Sequence, residues 1–374
     1  MLKIFVTGDN HIGLKYASHE KAQALAAKRM EAFPAMVDAA NREGCELFVI
    51  TGDLFENTRV PKKDVVSIVE TLARFRGTAA VLPGNHDFYD PEAKVWQYFT
   101  EAIKQYDNIM LLTEYRPYRV NAGEYEATLF PAHCTSLHSA PGENNLGWIK
   151  EADVASEPGY RIGIAHGAVA GETIDNEGAY FLMKREALEA IPMDVWLIGH
   201  THVPFPKSLT DDLAPTDRIL NAGTHAQTDV NCNTEGLCFI VGIKEDRTVC
   251  AKRFVSGNIR FYRKSISLRA GEAIEQIERE LAGLPEGSAV DLILEGAVTA
   301  EEYEALPADV ERLLSRFTEG TYSISAVSKL ISEELIDAEF PETSFPAMLL
   351  KALLGEPKEA QLTYELLKSL KEGK

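Results

Sequence analysis

The chain has 374 residues, 45% of them hydrophobic and 25% charged, and a formal net charge of −19 at pH 7. That length suits two domains, and that composition excludes disordered and collagen-like classes in favour of a soluble globular protein. No apolar run approaches the ~18 residues of a membrane span, and no signal-peptide pattern precedes the first apolar stretch. The five cysteines (45, 134, 232, 238 and 250) show no Cys-x-x-Cys spacing. A cytoplasmic protein without membrane contact, disulfide framework or zinc ribbon is therefore expected.

In chain order, 3–7 reads as a buried strand. Ser18 then caps an amphipathic helix reaching about 42, kinked or split at Pro34. Strand 46–51 follows, then a helix opened by Pro61 and running to about 76, strand 79–82, and a helix from Asp90-Pro91 to about 105. Apolar runs 161–165 and 195–198 are further buried strands. Stretches 218–221, 236–243, 249–254 and 259–268 read as strands of a second sheet packed on the first. Composition changes near 268. Helix 273–281, strand 289–294, helix 310–317 and strand 321–327 make a small α+β domain, and leucine-rich helices 346–354 and 358–370 flank Gly355-Glu356-Pro357. The expected domains are 1–266, 267–340 and a helical arm 341–374. Leu362, Leu366, Leu367 and Leu370 form an apolar stripe suited either to self-packing or to a partner groove.

Five of the strands end at a motif: Gly8-Asp9-Asn10-His11-Ile12-Gly13, Gly52-Asp53, Gly84-Asn85-His86-Asp87, His166-Gly167 and Gly199-His200-Thr201-His202. Singly each has a bland explanation; Asp53 could cap a helix and His166 could be a core histidine. Together they deliver polar groups to the carboxyl edge of one sheet, where open α/β folds bind ligands. The donors are nitrogen and oxygen without thiolate, which suits Mn²⁺, Fe or Zn²⁺. Asp9, His11, Asp53, Asn85, His166, His200 and His202 exceed what one ion uses, so two divalent ions are expected, with a carboxylate such as Asp53 bridging ions about 3.5–4 Å apart.

On these motifs the chain resembles the calcineurin-like metallophosphoesterase superfamily. The runs Gly8 to Gly13, Thr51-Gly52-Asp53-Leu54-Phe55-Glu56 and Leu82-Pro83-Gly84-Asn85-His86-Asp87 resemble its SbcD-type branch, the nuclease subunits of DNA repair exonucleases. The resemblance implies a two-sheet α/β/β/α sandwich with a small C-terminal α+β capping domain. It implies one metal on Asp9, His11, Asp53 and His202, and another on Asp53, Asn85, His166 and His200, with Mn²⁺ the expected ion. It makes His86 a proton donor to the leaving oxygen, with Asp87 orienting its ring; histidine suits that task near neutral pH. It implies DNA ends as substrate and an SbcC-like ABC-type ATPase, bound through the C-terminal helices, as partner; a homodimer is a further expectation. Some relatives carry a second non-ligand histidine after the Gly-Asp-Leu-Phe segment, where this chain has Glu56.

Two substrate contacts are expected. His225 lies where relatives carry a small residue, and reaches substrate or faces solvent. Arg260 belongs to a basic and aromatic stretch, 252–264, that contacts a phosphate backbone or forms solvated strand edges. His133 and His138 are read as structural. The acidity opposes autonomous DNA binding, which draws on phosphate neutralisation by Lys and Arg. Residues 267–374 carry 10 basic and 22 acidic side chains, leaving −7 for the residues before them, so a DNA-holding partner is favoured. The alternatives are a phosphomonoesterase or cyclic-nucleotide phosphodiesterase on the same fold, and a non-catalytic scaffold, which a lost ligand would betray.

Overall fold

The computed structural model describes residues 1–171, 179–232 and 234–371. The chain divides into two compact units, Met1–Arg260 and Phe261–Lys374. In the first, the elements run β1 (Leu2–Thr7), α1 (Ala22–Arg42), β2 (Leu47–Ile50), α2 (Lys62–Ala73), β3 (Thr78–Val81), α3 (Lys94–Ile103), β4 (Ile109–Leu111), β5 (Tyr118–Ala122), β6 (Tyr125–Ala132), α4 (Gly147–Glu151), β7 (Tyr160–His166), α5 (Arg185–Glu189), β8 (Val195–Gly199), β9 (Ala214–Pro215), β10 (Ile219–Asn221), β11 (Leu237–Ile243) and β12 (Val249–Val255). They build two sheets, ordered β4-β3-β2-β1-β11-β12-β9 and β10-β8-β7-β6-β5.

The strand period of two sorts side chains between layers. In β1, Leu2, Ile4 and Val6 enter a core shared with Leu129, Ile162, Ile164 and Leu197 of the other sheet, while Phe5 turns outward to Phe33, Met36 and Val37 of α1. Val65, Ile68, Val69 and Leu72 of α2, with Trp96 and Phe99 of α3, complete that outer helical layer. On the far side, Phe130, Trp196 and Ile198 pack against Leu146, Ile149, Leu188 and Met193. The unit is thus a four-layer α/β/β/α sandwich, each buried aliphatic or aromatic side chain contributing about 1.5–3 kcal/mol.

Several expectations need correction. Strands β11 and β12 do not belong to the second sheet: β11 pairs antiparallel with β1, Phe5 opposite Ile240, and so extends the first. The five motif strands do not share one sheet: β7 and β8 lie in the second, apart from β1, β2 and β3, together with the hairpin β5–β6, which the sequence reading missed. Its two-residue turn, Gly123-Glu124, carries Gly123 at φ 62°, a hairpin geometry that suits glycine. Helix α1 begins at Ala22, past Ser18, and runs unbroken through Pro34.

The second unit reads β13 (Phe261–Arg269), α6 (Ala273–Leu281), β14 (Ala289–Val298), α7 (Ala300–Leu314), β15 (Glu319–Lys329), α8 (Glu333–Glu339), α9 (Phe345–Ala352) and α10 (Pro357–Lys371). Its three strands are all parallel, in the order β13-β14-β15, with α6 and α7 as crossovers. The unit begins at 261 rather than 267 because β13 pairs with β14, Phe261 opposite Ala289. Helix α7 starts ten residues before the expected 310, on a Thr299–Glu302 capping box; Pro307 within it had hidden the first two turns. Residues 341–371 are not a separate arm. Ala347, Leu350, Ala360 and Tyr364 share a core with Ile331, Leu335, Ile336 and Phe340 of the α8 region. Residues 372–374 of the expected arm lie outside the described residues.

Candidate metal centre

The site is built where the parallel strands β1 and β2, and β7 and β8, deliver their carboxyl ends. Beyond those ends, the first two motif loops continue as a ladder: Asp9 N–H donates to Gly52 O (3.0 Å), His11 N–H to Asp53 O (2.9 Å) and Ile12 N–H to Leu54 O (2.9 Å). To aim their side chains inward, Asp9, His11, Asp53 and His200 all adopt positive φ, at 49°, 45°, 50° and 111°. Such conformations cost about 1–3 kcal/mol each in non-glycine residues and concentrate at functional sites. Close packing dictates two glycines: a Cβ on Gly52 would meet His166 Nδ1 at 2.1 Å, and one on Gly84 would meet Asp53 Oδ1 at 2.2 Å.

All seven expected ligand side chains converge here. His11 Nε2 lies 3.0 Å from His202 Nε2 and 3.9 Å from Asp53 Oδ2, and His202 Nε2 lies 4.0 Å from Asp9 Oδ1. On the other side of Asp53, His166 Nε2 lies 3.3 Å from its Oδ2, and Asn85 Oδ1 sits 2.9 Å from His166 Nε2 and 3.0 Å from His200 Nδ1. Among the described residues, Asp9, His11 and His202 form one group able to hold a cation, Asp53, His166 and His200 a second, and His11, Asp53 and His86 a third. Asp53 thus lies between two clusters. The donors fit a pair of borderline-hard divalent ions: nitrogen and oxygen only, mutually close, and buried except for the half-buried His200 and His202. His166 Nδ1 donates to Thr51 O at 2.9 Å, which reserves Nε2 as a ligand atom.

The electrostatics of the site set burial against closely placed opposite charges. Burial works against ionised Asp53, but His166 beside it, with His11 and His86, holds its carboxyl well below the usual range. Burial likewise opposes a charged His166, yet Asp53 lifts it to about 9. Asp9 is pushed up to about 6 by burial, Asp53 adding to the effect. Burial, then the charges of His11 and Arg29, push His202 down to about 3.

Three expectations fail. Asp87 does not orient His86: its Oδ1 accepts from Gly84 N–H (2.7 Å) and its Oδ2 from Phe55 N–H (2.9 Å), so it ties two site loops together. The exposed His86 instead sets Nδ1 3.3 Å from the Glu56 carbonyl. His225 neither reaches the cleft nor faces solvent. It is fully buried, with Nδ1 3.2 Å from Asn10 Nδ2 and Nε2 3.1 Å from Arg29 O, and burial holds it well below the usual histidine range. Arg260 is paired with Glu235 at 2.8 Å. The rest of its basic stretch is similarly neutralised: Lys252 by Glu43, Arg253 by Asp211, Arg263 by Asp291 and Lys264 by Glu280.

The sequence reading also missed Arg29 and Tyr180. Arg29 is 1% exposed and donates to Asn10 O (2.7 Å), Asp9 O (3.1 Å), Ala226 O (2.8 Å) and Thr224 Oγ1 (2.9 Å), clamping the Asp9 loop to 224–226. An arginine inside the apolar stripe Leu25, Ala32, Phe33, Met36 was the available signal. Tyr180 lies over His200 with centroids 4.9 Å apart; no local pattern announces it.

Among solved structures the chain is similar to a protein of Thermus thermophilus, at 12% identity over 67% of this chain and 97% of that one, with a TM-score of 0.42. It is also similar to a dimetal phosphatase from Danio rerio, at 11% identity over 68% and 98%, with a TM-score of 0.38. No curated protein matches it. The sequence model of the calcineurin-like phosphoesterases matches residues 2–204, more than half of the chain, which therefore belongs to that family of metal-dependent phosphoesterases.

Proposed function

We propose that this protein is a two-metal, Mn²⁺-type phosphodiesterase that cuts DNA at ends, as exonuclease and endonuclease, in the manner of the SbcD-type branch. The convergence of seven nitrogen and oxygen donors on the two sides of Asp53 is the observation that carries the hydrolytic part of this reading. Asp9, His11, Asp53 and His202 would hold one ion; Asp53, Asn85, His166 and His200 would hold the other. When bound, the pair polarises a phosphoryl oxygen and makes water acidic enough to attack near neutral pH. His86, at the exposed rim with Nδ1 on the Glu56 carbonyl, keeps Nε2 for delivering a proton to the leaving oxygen. Asn85, pinned at Leu137 O through its Nδ2 (3.3 Å), turns its carbonyl oxygen toward His166 and His200 and would present it to the second ion.

The partner is an SbcC-like ABC-type ATPase in the cytoplasm, and the surface of α10 supports it. Ala360 and Tyr364 turn into the core, while Leu362, Leu366 and Leu370, one above another at i, i+4 and i+8, are 69%, 59% and 67% exposed. An apolar stripe of that spacing fits a helical groove of another chain.

A second reading, a phosphomonoesterase or cyclic-nucleotide phosphodiesterase, is favoured by one observation: the basic stretch that would grip a DNA backbone is consumed by acidic partners. Labelled single- and double-stranded DNA with free ends, assayed alongside a small chromogenic phosphodiester and phosphomonoester under Mn²⁺, Zn²⁺ and Mg²⁺, tests both. Hydrolysis of the small esters with no DNA cleavage, alone or with the ATPase, would eliminate the nuclease.

A further inference from the structure

Glu56 follows Phe55 directly, and the ladder between the first two site loops fixes where it falls. Ile12 N–H bonds to Leu54 O and Glu56 N–H to Ile12 O, both at 2.9 Å, which sets Glu56 across from His11. From there its Oε2 lies 3.0 Å from His11 Nδ1. The opposite ring nitrogen of His11 is the one that faces His202 and Asp53. The backbone carbonyl of the same residue meets His86 Nδ1, and the His11 and His86 rings stand edge to face, 4.8 Å apart. One residue therefore touches two site histidines, the first through its side chain and the second through its main chain.

We propose that Glu56 is a positioning residue for the first metal: its carboxylate holds His11 with Nδ1 turned away from the cleft and Nε2 free to coordinate. The inference rests on the two-metal reading of the site. An imidazole that ligates through Nε2 carries its proton on Nδ1, and an anionic acceptor at that proton fixes the tautomer, stops ring rotation and makes Nε2 a stronger donor. At 3.0 Å the two atoms are close enough, yet out of line, for His11 Nδ1 makes no aligned hydrogen bond. The Glu56 side chain is 26% exposed and that of His11 only 4%, so the carboxylate is the partner with room to turn into line. A neutral imidazole in place of Glu56 would supply no such charge to His11. The contact with His86 runs through a carbonyl and survives any side-chain substitution, which separates ligand positioning from proton delivery.

The test is calorimetric titration of Mn²⁺ into metal-free wild-type protein, Glu56→Gln and Glu56→Ala, with melting of each metal-free form and turnover of a chromogenic phosphodiester across Mn²⁺ concentrations. Glu56→Ala should weaken one of the two binding events by roughly 10–100-fold and leave the other alone. Glu56→Gln, which keeps an acceptor without the charge, should fall between. Turnover at saturating Mn²⁺ should return to within a few-fold of wild type. Unchanged affinity at both sites in Glu56→Gln and Glu56→Ala overturns the proposal, and so does turnover that stays lost with both ions bound. If Glu56→Ala fails to fold, Glu56→Gln decides alone, because it preserves shape and volume. Fewer than two ions on the wild-type protein is a distinguishable failure, which removes the two-metal reading and this inference with it.

Discussion

Replacing Asp87 with asparagine separates two accounts of that residue. If it oriented His86, Asp87→Asn would lower turnover and leave folding untouched. The geometry says otherwise: both carboxylate oxygens are spent on backbone donors, Gly84 N–H at 2.7 Å and Phe55 N–H at 2.9 Å, at a site with no solvent exposure. Asparagine offers one acceptor and turns an amide NH₂ toward the other N–H. One hydrogen bond to a charged group is lost, at about 1.5–3 kcal/mol, and one buried N–H is left facing a donor. Relief of the buried charge offsets part of this, because burial, with Asp53 adding to it, already pushes Asp87 up to about 7. A net loss of about 1–3 kcal/mol at pH 8 is expected, which for a unit of this size is a drop in Tm of about 2–4 °C per kcal/mol. Differential scanning calorimetry of the metal-free protein measures it, and Mn²⁺ titration of the same sample should show weaker binding, since Gly84 leads into Asn85. An unchanged melting profile with turnover as low as in a His86 variant would refute the reasoning and restore Asp87 as the partner of His86.

Other perturbations probe the rest. His86→Asn should retain both metals while turnover falls by roughly 10²–10⁴-fold, the usual share of general acid catalysis; a missing ion by elemental analysis would make His86 a ligand, as its grouping with His11 and Asp53 permits. His202→Ala and His200→Ala should each remove a different ion, because their rings approach His11 and Asn85 respectively; two metals retained in either variant would contradict the assignment. Substituting Leu362, Leu366 and Leu370 together with alanine should abolish ATPase co-purification and lower Tm by no more than a few degrees, since alanine keeps the helix propensity and leucines more than half exposed contribute little to the fold; a large loss of stability would show instead that the stripe packs at home. Burial depresses His133 to about 4, below its value in an unfolded chain, so the unfolded state binds the extra proton between about 6.5 and 4. Stability from this group is therefore complete above pH 6.5 and declines as pH falls through that window; a His133→Gln variant whose melting is as acid-sensitive as wild type would remove His133 as the cause.

The motif loops were more legible than the pairing of the strands around them, and the reason is physical. Ligand chemistry needs particular side chains next to particular turns, so Gly52-Asp53 and Gly84-Asn85 announce themselves: one atom more on either glycine would strike His166 or Asp53. Sheet membership depends on pairing between strands distant in sequence, and apolar alternation carries no information about partners. Segment 237–243 is apolar at every position and fits either sheet; its pairing with β1 is settled only by the three-dimensional register. The misplaced side chains fall in the same class. Asp87, His225 and Arg260 are polar residues beside or near motifs, and sequence assigns them outward roles because it cannot show that Gly84 N–H, Arg29 O or Glu235 already occupies them. Glu56 reverses the case. By comparison with the resembled branch it was a departure from pattern, yet its carboxylate falls on His11 Nδ1, where a histidine ligand needs an acceptor. If Glu56 positions His11 as proposed, a substitution inside a motif has moved a contact from the substrate to the ligand shell while leaving the motif itself in place.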